Sequence, residues 1–151
     1  MIKRNEWKKL GRILKPDRKQ LWSKNYMSLP TAVPYKKFIR IFFGSRDNKN
    51  RSRIGYLDYD LDKKKIIRRP KNYILGLGNL GTFDDNGVMP CSVLKVKGKT
   101  YLYYVGWNPR STVRFSFYSG LAIGNAAGTK FKRFSKACLL YTSDAADDVI
   151  S

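Results

Sequence analysis

Two stretches of this chain spell the same pattern about sixty residues apart. Pro30 recurs as Pro90 at an offset of 60, and Gly44, closing an aromatic run, recurs as Gly106 at 62. Gly55 in Ile54-Gly55-Tyr56-Leu57 matches Gly120 in Ser119-Gly120-Leu121-Ala122, and Arg68 matches Arg133, both at 65. Helical periodicity is nearly absent after residue 25. Short aromatic and β-branched runs alternate with turns instead, which is the signature of strands. The runs are Phe38–Phe43, Arg53–Asp58, Lys65–Arg68, Val88–Val96, Thr100–Val105, Phe117–Ile123 and Lys130–Phe134. Val88–Val96 and Thr100–Val105 flank Lys97-Gly98-Lys99, which predicts a hairpin. Trp7–Leu14 reads as either a short strand or a frayed helix, with a turn at Pro16-Asp17.

Each repeat unit thus predicts four strands: an inner one after a proline, an aromatic one ending in glycine, a Gly-Leu/Tyr one, and a short outer one. Four-stranded units repeated about an axis are β-propeller blades. Two blades cannot close a ring. We therefore expect an all-β fold, the first two blades of a β-propeller, with four antiparallel strands per blade and the ring not closed. The predicted organisation is an N-terminal segment (1–27), blade one at about 28–70 and blade two at about 86–136. A β-sandwich with accidental likeness is the alternative this pattern leaves open.

Composition narrows the chemistry. The 151 residues contain no His, so no Ser-His-Asp triad, Cys-His dyad or His-ligated metal can form within the chain. Two Cys, at 91 and 138, cannot build a zinc site or a disulfide scaffold. No apolar run approaches the ~18 residues of a membrane span, and no apolar leader opens the chain. The expectation is a cytoplasmic protein without a membrane partner. The 31 Lys+Arg against 11 Asp+Glu give a formal charge of +20, which favours anionic partners. Yet the cations come in short runs beside predicted strands: Lys36-Lys37, Lys63–Lys65, Arg68-Arg69 and Lys130–Arg133. A solvated, edge-protecting surface accounts for them better than a dedicated nucleic-acid patch.

Residues 138–148, Cys-Leu-Leu-Tyr-Thr-Ser-Asp-Ala-Ala-Asp-Asp, resemble the conceptual translation of a transposase-type sequencing adapter. Residues 138–151 hold three Asp and no Lys or Arg, whereas residues 1–137 hold every cation and eight acids. The expectation is that 1–137 are native and that 138–151 are adapter-derived. A native acidic tail is the alternative. Cys91 would then be the one native cysteine, expected to pack within a strand.

Three ordered motif sets carry a resemblance to a known family. The first runs Pro30-Thr31-Ala32-Val33-Pro34, Ile39–Asp47 and Asn50–Tyr56; the second runs Leu75-Gly76-Leu77-Gly78 and Gly81–Pro90; the third is Tyr101–Pro109. Over about residues 7–136 the chain resembles the N-terminal part of bacterial glycosidase-like five-bladed propellers. These are related to glycoside hydrolase family 43, its neighbouring families and the mannoside phosphorylases. The chain departs from the family at Tyr26, where a His is expected, and at Ala126-Ala127-Gly128, where an Asp-Gly turn is usual. Phe115–Ser119 is also atypical. The resemblance implies a parent that acts on an oligosaccharide or glycan, a hydrolase or phosphorylase, without an organic cofactor. It also implies inner strands set around a central funnel.

Glycoside hydrolysis needs two carboxyl groups across the scissile bond, roughly 5–5.5 Å apart for retention and 6.5–9.5 Å for inversion. Asp84 and Asp85, just ahead of an inner strand, are the candidate catalytic carboxylates. Neighbours on extended chain face opposite ways, so one is expected in the funnel, with Asp85 favoured. The other would bind backbone amides and brace the Asn86-Gly87 turn, and a plain Asx turn is the structural alternative.

Asp47 with Arg46 and Arg53 offers a donor fork and acceptors for sugar hydroxyls, or else a salt-bridged loop brace. Trp107 and Tyr104 offer aromatic faces to a sugar, with Trp107-Asn108-Pro109 expected to be exposed past the strand end. Asn108 adds a carboxamide. For Tyr104 a core role competes. Asp58, Asp60 and Asp62 are expected on the outer, solvated side, without the remainder of a calcium loop.

Glu6 is terminal, and the related hydrolases draw their general acid from a later blade. The chain as written is therefore expected to be inactive, the N-terminal part of a carbohydrate-active propeller whose parent works through paired carboxylates. The alternative function is a non-enzymatic basic module for nucleic acid or acidic polysaccharide. A propeller that only binds glycans also stays open.

Overall fold

Period-two alternation of large apolar and polar residues drives extended chain, because successive side chains of a strand point to opposite faces. The computed structural model describes residue 9 and residues 11–139, and among these it contains eight strands and no helix. They are β1 (Asn25–Pro34), β2 (Ile39–Arg46), β3 (Ser52–Asp60), β4 (Lys65–Arg68), β5 (Gly87–Val96), β6 (Lys99–Pro109), β7 (Phe115–Gly124) and β8 (Phe131–Arg133). Glu6, Trp7 and most of the 138–151 tail lie outside the described residues.

β1 to β4 pair as one antiparallel meander and β5 to β8 as a second. A single parallel pair, Ser52 opposite Gly87, joins them into one sheet that does not close. The first strands of the two meanders, β1 and β5, also pack against each other.

Seven of the predicted strands are present, and several run longer than the hydrophobic runs that announced them; the described residues of Trp7–Leu14 are neither strand nor helix. β2 continues through Gly44-Ser45-Arg46, and β6 continues through Gly106 to Pro109. Once two neighbours are in register, the ladder carries polar residues along with it. The β5–β6 hairpin closes on a two-residue loop, with Val96 opposite Lys99 and both Lys97 and Gly98 at positive φ. This matches the type I′ geometry whose twist suits a hairpin.

Register tests the repeat directly. Gly44 lies opposite Ser28 and Ile54, and Gly106 lies opposite Val88 and Tyr118, so these glycines are equivalent. Arg68 opposite Asp58 and Arg133 opposite Ala122 are equivalent by the same rule. Gly55 and Gly120 are not: Gly55 faces Phe43, whereas Gly120 faces Tyr104, one step along the ladder. Each glycine leaves room for an aromatic ring, Trp22 over Gly55 and Tyr104 over Gly120. The two rings come from different places, Trp22 from the segment before β1 and Tyr104 from β6, so each glycine follows its own ring. Pro30 and Pro90 both stand at breaks in register. Proline has no amide hydrogen for the ladder.

Phe42 and Phe43, side by side in sequence, fall in different apolar clusters. Phe42 joins Ile54, Tyr56, Val88, Leu102 and Tyr104 between the meanders, while Phe43 joins Trp22 and Leu57 on the opposite face. β2 is thus covered on both sides, which explains its unbroken aromatic run.

Two expectations are corrected here. Asp58 is not on the solvated side: it is buried and accepts two hydrogen bonds from the Arg40 guanidinium, at 2.7 and 2.8 Å. Arg40 also donates through Nη1 to the carbonyls of Ala127 and Gly128, so this fork ties the first meander to the β7–β8 turn. Burial works against the Arg40 charge, but the hydrogen bond and charge of Asp58 raise its pKa above the usual value. Asp60 is half-buried and caps the amide of Lys63, and Asp62 is exposed, as expected. Cys91 does not pack; it is exposed, because it falls between Pro90 and Ser92, where the β5 register slips.

Candidate functional site

The loop leading into β5 separates the two adjacent aspartates. Asp84 is 1% exposed and sits against Gly106 and Gly78, where any side chain would collide with it. Its Oδ2 accepts from Arg133 Nε at 2.7 Å and from the Tyr104 hydroxyl at 2.9 Å; its Oδ1 accepts from the Thr82 hydroxyl at 3.1 Å. Arg133 further donates through Nη2 to the carbonyl of Gly76 at 2.5 Å. Burial, then the Asp84 charge, pushes the Tyr104 phenol far above its ordinary pKa, so it stays a neutral donor. Asp84 is thereby a structural anchor that clamps the loop to β6 and β8.

Asp85 turns the other way and stays half-buried. It accepts from the Gly81 amide and from Asn108 Nδ2, both at 2.8 Å. Asn108 also donates to the carbonyl of Thr82 at 2.9 Å. The two side chains part as expected, though in a turn rather than on extended chain, and the backbone amide taken by a carboxylate is that of Gly81, behind it, rather than one in the Asn86-Gly87 turn. Asp85 holds that amide itself, and Asp84 holds only side chains.

The Asp47 constellation is regrouped. Asp47 is buried and accepts from the amides of Lys49 (2.8 Å) and Arg51 (3.0 Å), from Arg51 Nε (3.0 Å) and from Arg53 Nη1 (2.9 Å). Burial raises its pKa, but the hydrogen bonds from Arg53, Arg51 and Lys49 outweigh that and hold it below the usual range. Arg46 is not a member. As the preceding residue at the strand end it faces the other way, and its guanidinium lies 5.3 Å from the Tyr26 ring centre and 5.4 Å from that of Trp107. Arg51 takes its place. Asp47, Arg51 and Arg53 line an outer cleft of about 380 Å³ with Leu21, Trp22 and Tyr73.

Of the two aromatic expectations, the exposure of Trp107 is corrected and the core alternative for Tyr104 holds. Trp107 is 1% exposed, because its ring covers Gly87 and meets Phe115 edge-on at 4.6 Å. Tyr104 is in the core. The open aromatic face belongs to Tyr26, which is 63% exposed at the start of β1. The structure therefore brings together Arg46, Trp107 and Tyr26 at one junction, and Asp85 with Asn108 at another. It keeps Asp84 in one brace and Asp47 with Arg53 in another. Tyr26 was legible only as a departure from the family pattern. Arg133 was legible only as a repeat partner of Arg68, since its contact with Asp84 spans 49 residues. Among the described residues no group of three or more His, Cys, Asp or Glu is placed to hold a metal ion, and no helix is long and apolar enough to cross a membrane.

No protein-family model matches the chain. Two uncharacterized proteins of Mycobacterium tuberculosis, from strains CDC 1551 / Oshkosh and ATCC 25618 / H37Rv, are each 40% identical to it over 131 residues. The match covers 85% of this chain and 44% of each relative, so the chain spans less than half the length of these curated relatives. The crystal structure of a glycosyl hydrolase from Bacteroides ovatus is similar with a TM-score of 0.64 at 16% identity, over 80% of this chain and 37% of that one. The likeness is one of fold: this chain has the glycosidase-like all-β architecture of part of that hydrolase.

Proposed function

We propose that this chain forms the first two blades of a carbohydrate-active β-propeller, with its saccharide pocket facing the inner strands β1 and β5. The carrying observation is the paired meander: two four-stranded units, equivalent at Gly44 and Gly106 and at Arg68 and Arg133, with their first strands packed together. Radial repetition of such units makes a propeller. The fold likeness to part of a glycosyl hydrolase supports the same reading.

In this reading Asp85, held half-open by Asn108 and Gly81, is the carboxylate turned toward a glycan, and Tyr26 supplies the aromatic face beside Arg46. Sugar rings offer apolar C–H faces to such a ring. Asp84 is the brace that fixes the Asp85 loop. A second carboxylate across the scissile bond would come from outside this chain, so two blades alone bind saccharide without cleaving it. The parent is a glycosidase, a hydrolase or phosphorylase of cytoplasmic glycans, and takes no cofactor.

The test is calorimetric titration of the chain with a panel of neutral and acidic oligosaccharides, with reducing-sugar release as the activity readout. Binding that falls about tenfold in Tyr26→Ala and in Asp85→Asn, a loss of roughly 1.4 kcal/mol, with no hydrolysis, is the expected result. Absence of any saccharide binding, alongside DNA binding with a steep salt slope, would replace this reading with that of a basic nucleic-acid module.

A further inference from the structure

The N-terminal segment, the start of β1 and the β2–β3 loop enclose a cleft of about 490 Å³. Four cations line it, Arg12, Lys15, Arg18 and Lys24, with the carboxamides of Asn25 and Asn50 and the Tyr26 ring. No carboxylate lines it, and among the described residues none of the four cations is held in an ion pair. Elsewhere among the described residues three arginines do find acids, Arg40 with Asp58, Arg53 with Asp47 and Arg133 with Asp84, while the half-buried Arg46 and Arg69 are in no ion pair. Four like charges around one concavity repel each other, and a concave wall of one sign concentrates counter-ions. The Tyr26 ring, which lines this cleft, is also the one under Arg46.

We propose that this cleft is a binding site for the acidic group, carboxylate or phosphate, of an anionic saccharide. The inference rests on the carbohydrate reading above and narrows it to a substrate class. The anion sits among Arg12, Lys15, Arg18 and Lys24. Asn25 and Asn50 serve neighbouring hydroxyls, for which a carboxamide supplies both donor and acceptor. The adjoining sugar ring lies on Tyr26. Guanidinium groups suit either acid, because their planar fork matches two oxygens at once.

The experiment is fluorescence anisotropy on the whole chain with four labelled probes: an oligogalacturonate, a phosphorylated mannan oligosaccharide, a neutral mannan oligosaccharide and a short DNA duplex. The proposal expects an acidic saccharide to bind at least about tenfold more tightly than the neutral one, a difference of about 1.4 kcal/mol. The exposed Arg12→Glu/Lys15→Glu/Arg18→Glu variant should lose that margin. Lys63→Glu/Lys64→Glu/Lys65→Glu, which carries the same charge change in the β3–β4 loop and at the start of β4, should keep it.

Whichever acidic probe binds more tightly assigns the carboxylate or phosphate source. Equal binding of neutral and acidic saccharides overturns the cleft proposal and leaves the carbohydrate reading standing. An equal loss in both triple variants overturns it too, since binding would then follow overall charge. DNA binding with no saccharide binding overturns both.

Discussion

Two consecutive aspartates in the turn ahead of β5 are given different physical tasks by the opposite directions of their side chains. Asp84 accepts from three side chains in a buried setting, while Asp85 keeps a partly open carboxylate. Removing the Asp84 charge leaves Arg133 without its counter-charge and replaces one of the two oxygens that serve Arg133, Tyr104 and Thr82 with a donor, and breaking a buried pair from one side is costly. Asp84→Asn should therefore lower unfolding stability by about 3 kcal/mol, and Asp85→Asn by under about 1 kcal/mol. Urea denaturation of both variants checks this, and similar losses would contradict the division of labour.

Asp47 supplies a pH signature. Its folded pKa lies below that of the unfolded chain, so the stability it gives is complete above the ordinary carboxylate range, near ~4. That contribution drains as pH falls through that value toward the folded pKa. Asp47→Asn should be less stable at neutral pH and lose less stability between about pH 5 and pH 3, as read from urea midpoints across that range.

At the scale of the strand, close ring-on-backbone contacts set the fine register. A methyl group on Gly120 would run into the Tyr104 ring, which is fixed in turn by its hydrogen bond to Asp84. Gly120→Ala should cost about 1–3 kcal/mol through overpacking. Gly98→Ala, in the open hairpin turn at φ 73°, meets no neighbour and should cost only about 1 kcal/mol of backbone strain. Thermal melting of the two variants ranks them, and a reversed order would mean that the β6–β7 contact yields more readily than its packing suggests.

Across the whole molecule, Arg40 is a buried polar tie between the meanders, from Asp58 to the Ala127 and Gly128 carbonyls, alongside Ser52 Oγ donating to the Val88 carbonyl and the Tyr35 hydroxyl to that of Ala127. Arg40→Lys keeps the charge but loses the fork, which should cost about 2 kcal/mol and weaken the coupling of the two units. Comparing calorimetric with van't Hoff enthalpy detects that loss of cooperativity. The sheet is also open, and Leu29, Leu94 and Val96 are exposed on its first strands β1 and β5. Unpartnered strand faces bury less apolar area. The chain should melt below about 60 °C by circular dichroism.

The chain's own letters determined its all-β character, seven of its eight strands and the recurrence of one unit, because alternation and turn residues are local quantities; β1 was expected only after Pro30 and in fact runs through it. Asp84 and Asp85 part as expected, but in a turn rather than on extended chain, so strand alternation is not the reason. The fates of particular side chains were settled only by folding. Asp58 looked solvated until Arg40, eighteen residues away, buried it. Trp107 looked exposed until Gly87 made room beneath its ring. Arg46 seemed to belong with Asp47 until the strand end turned it toward Tyr26. Cys91 seemed packed until a slip in register turned it outward. Burial and pairing depend on which distant residues arrive at the same place, and no local pattern encodes that.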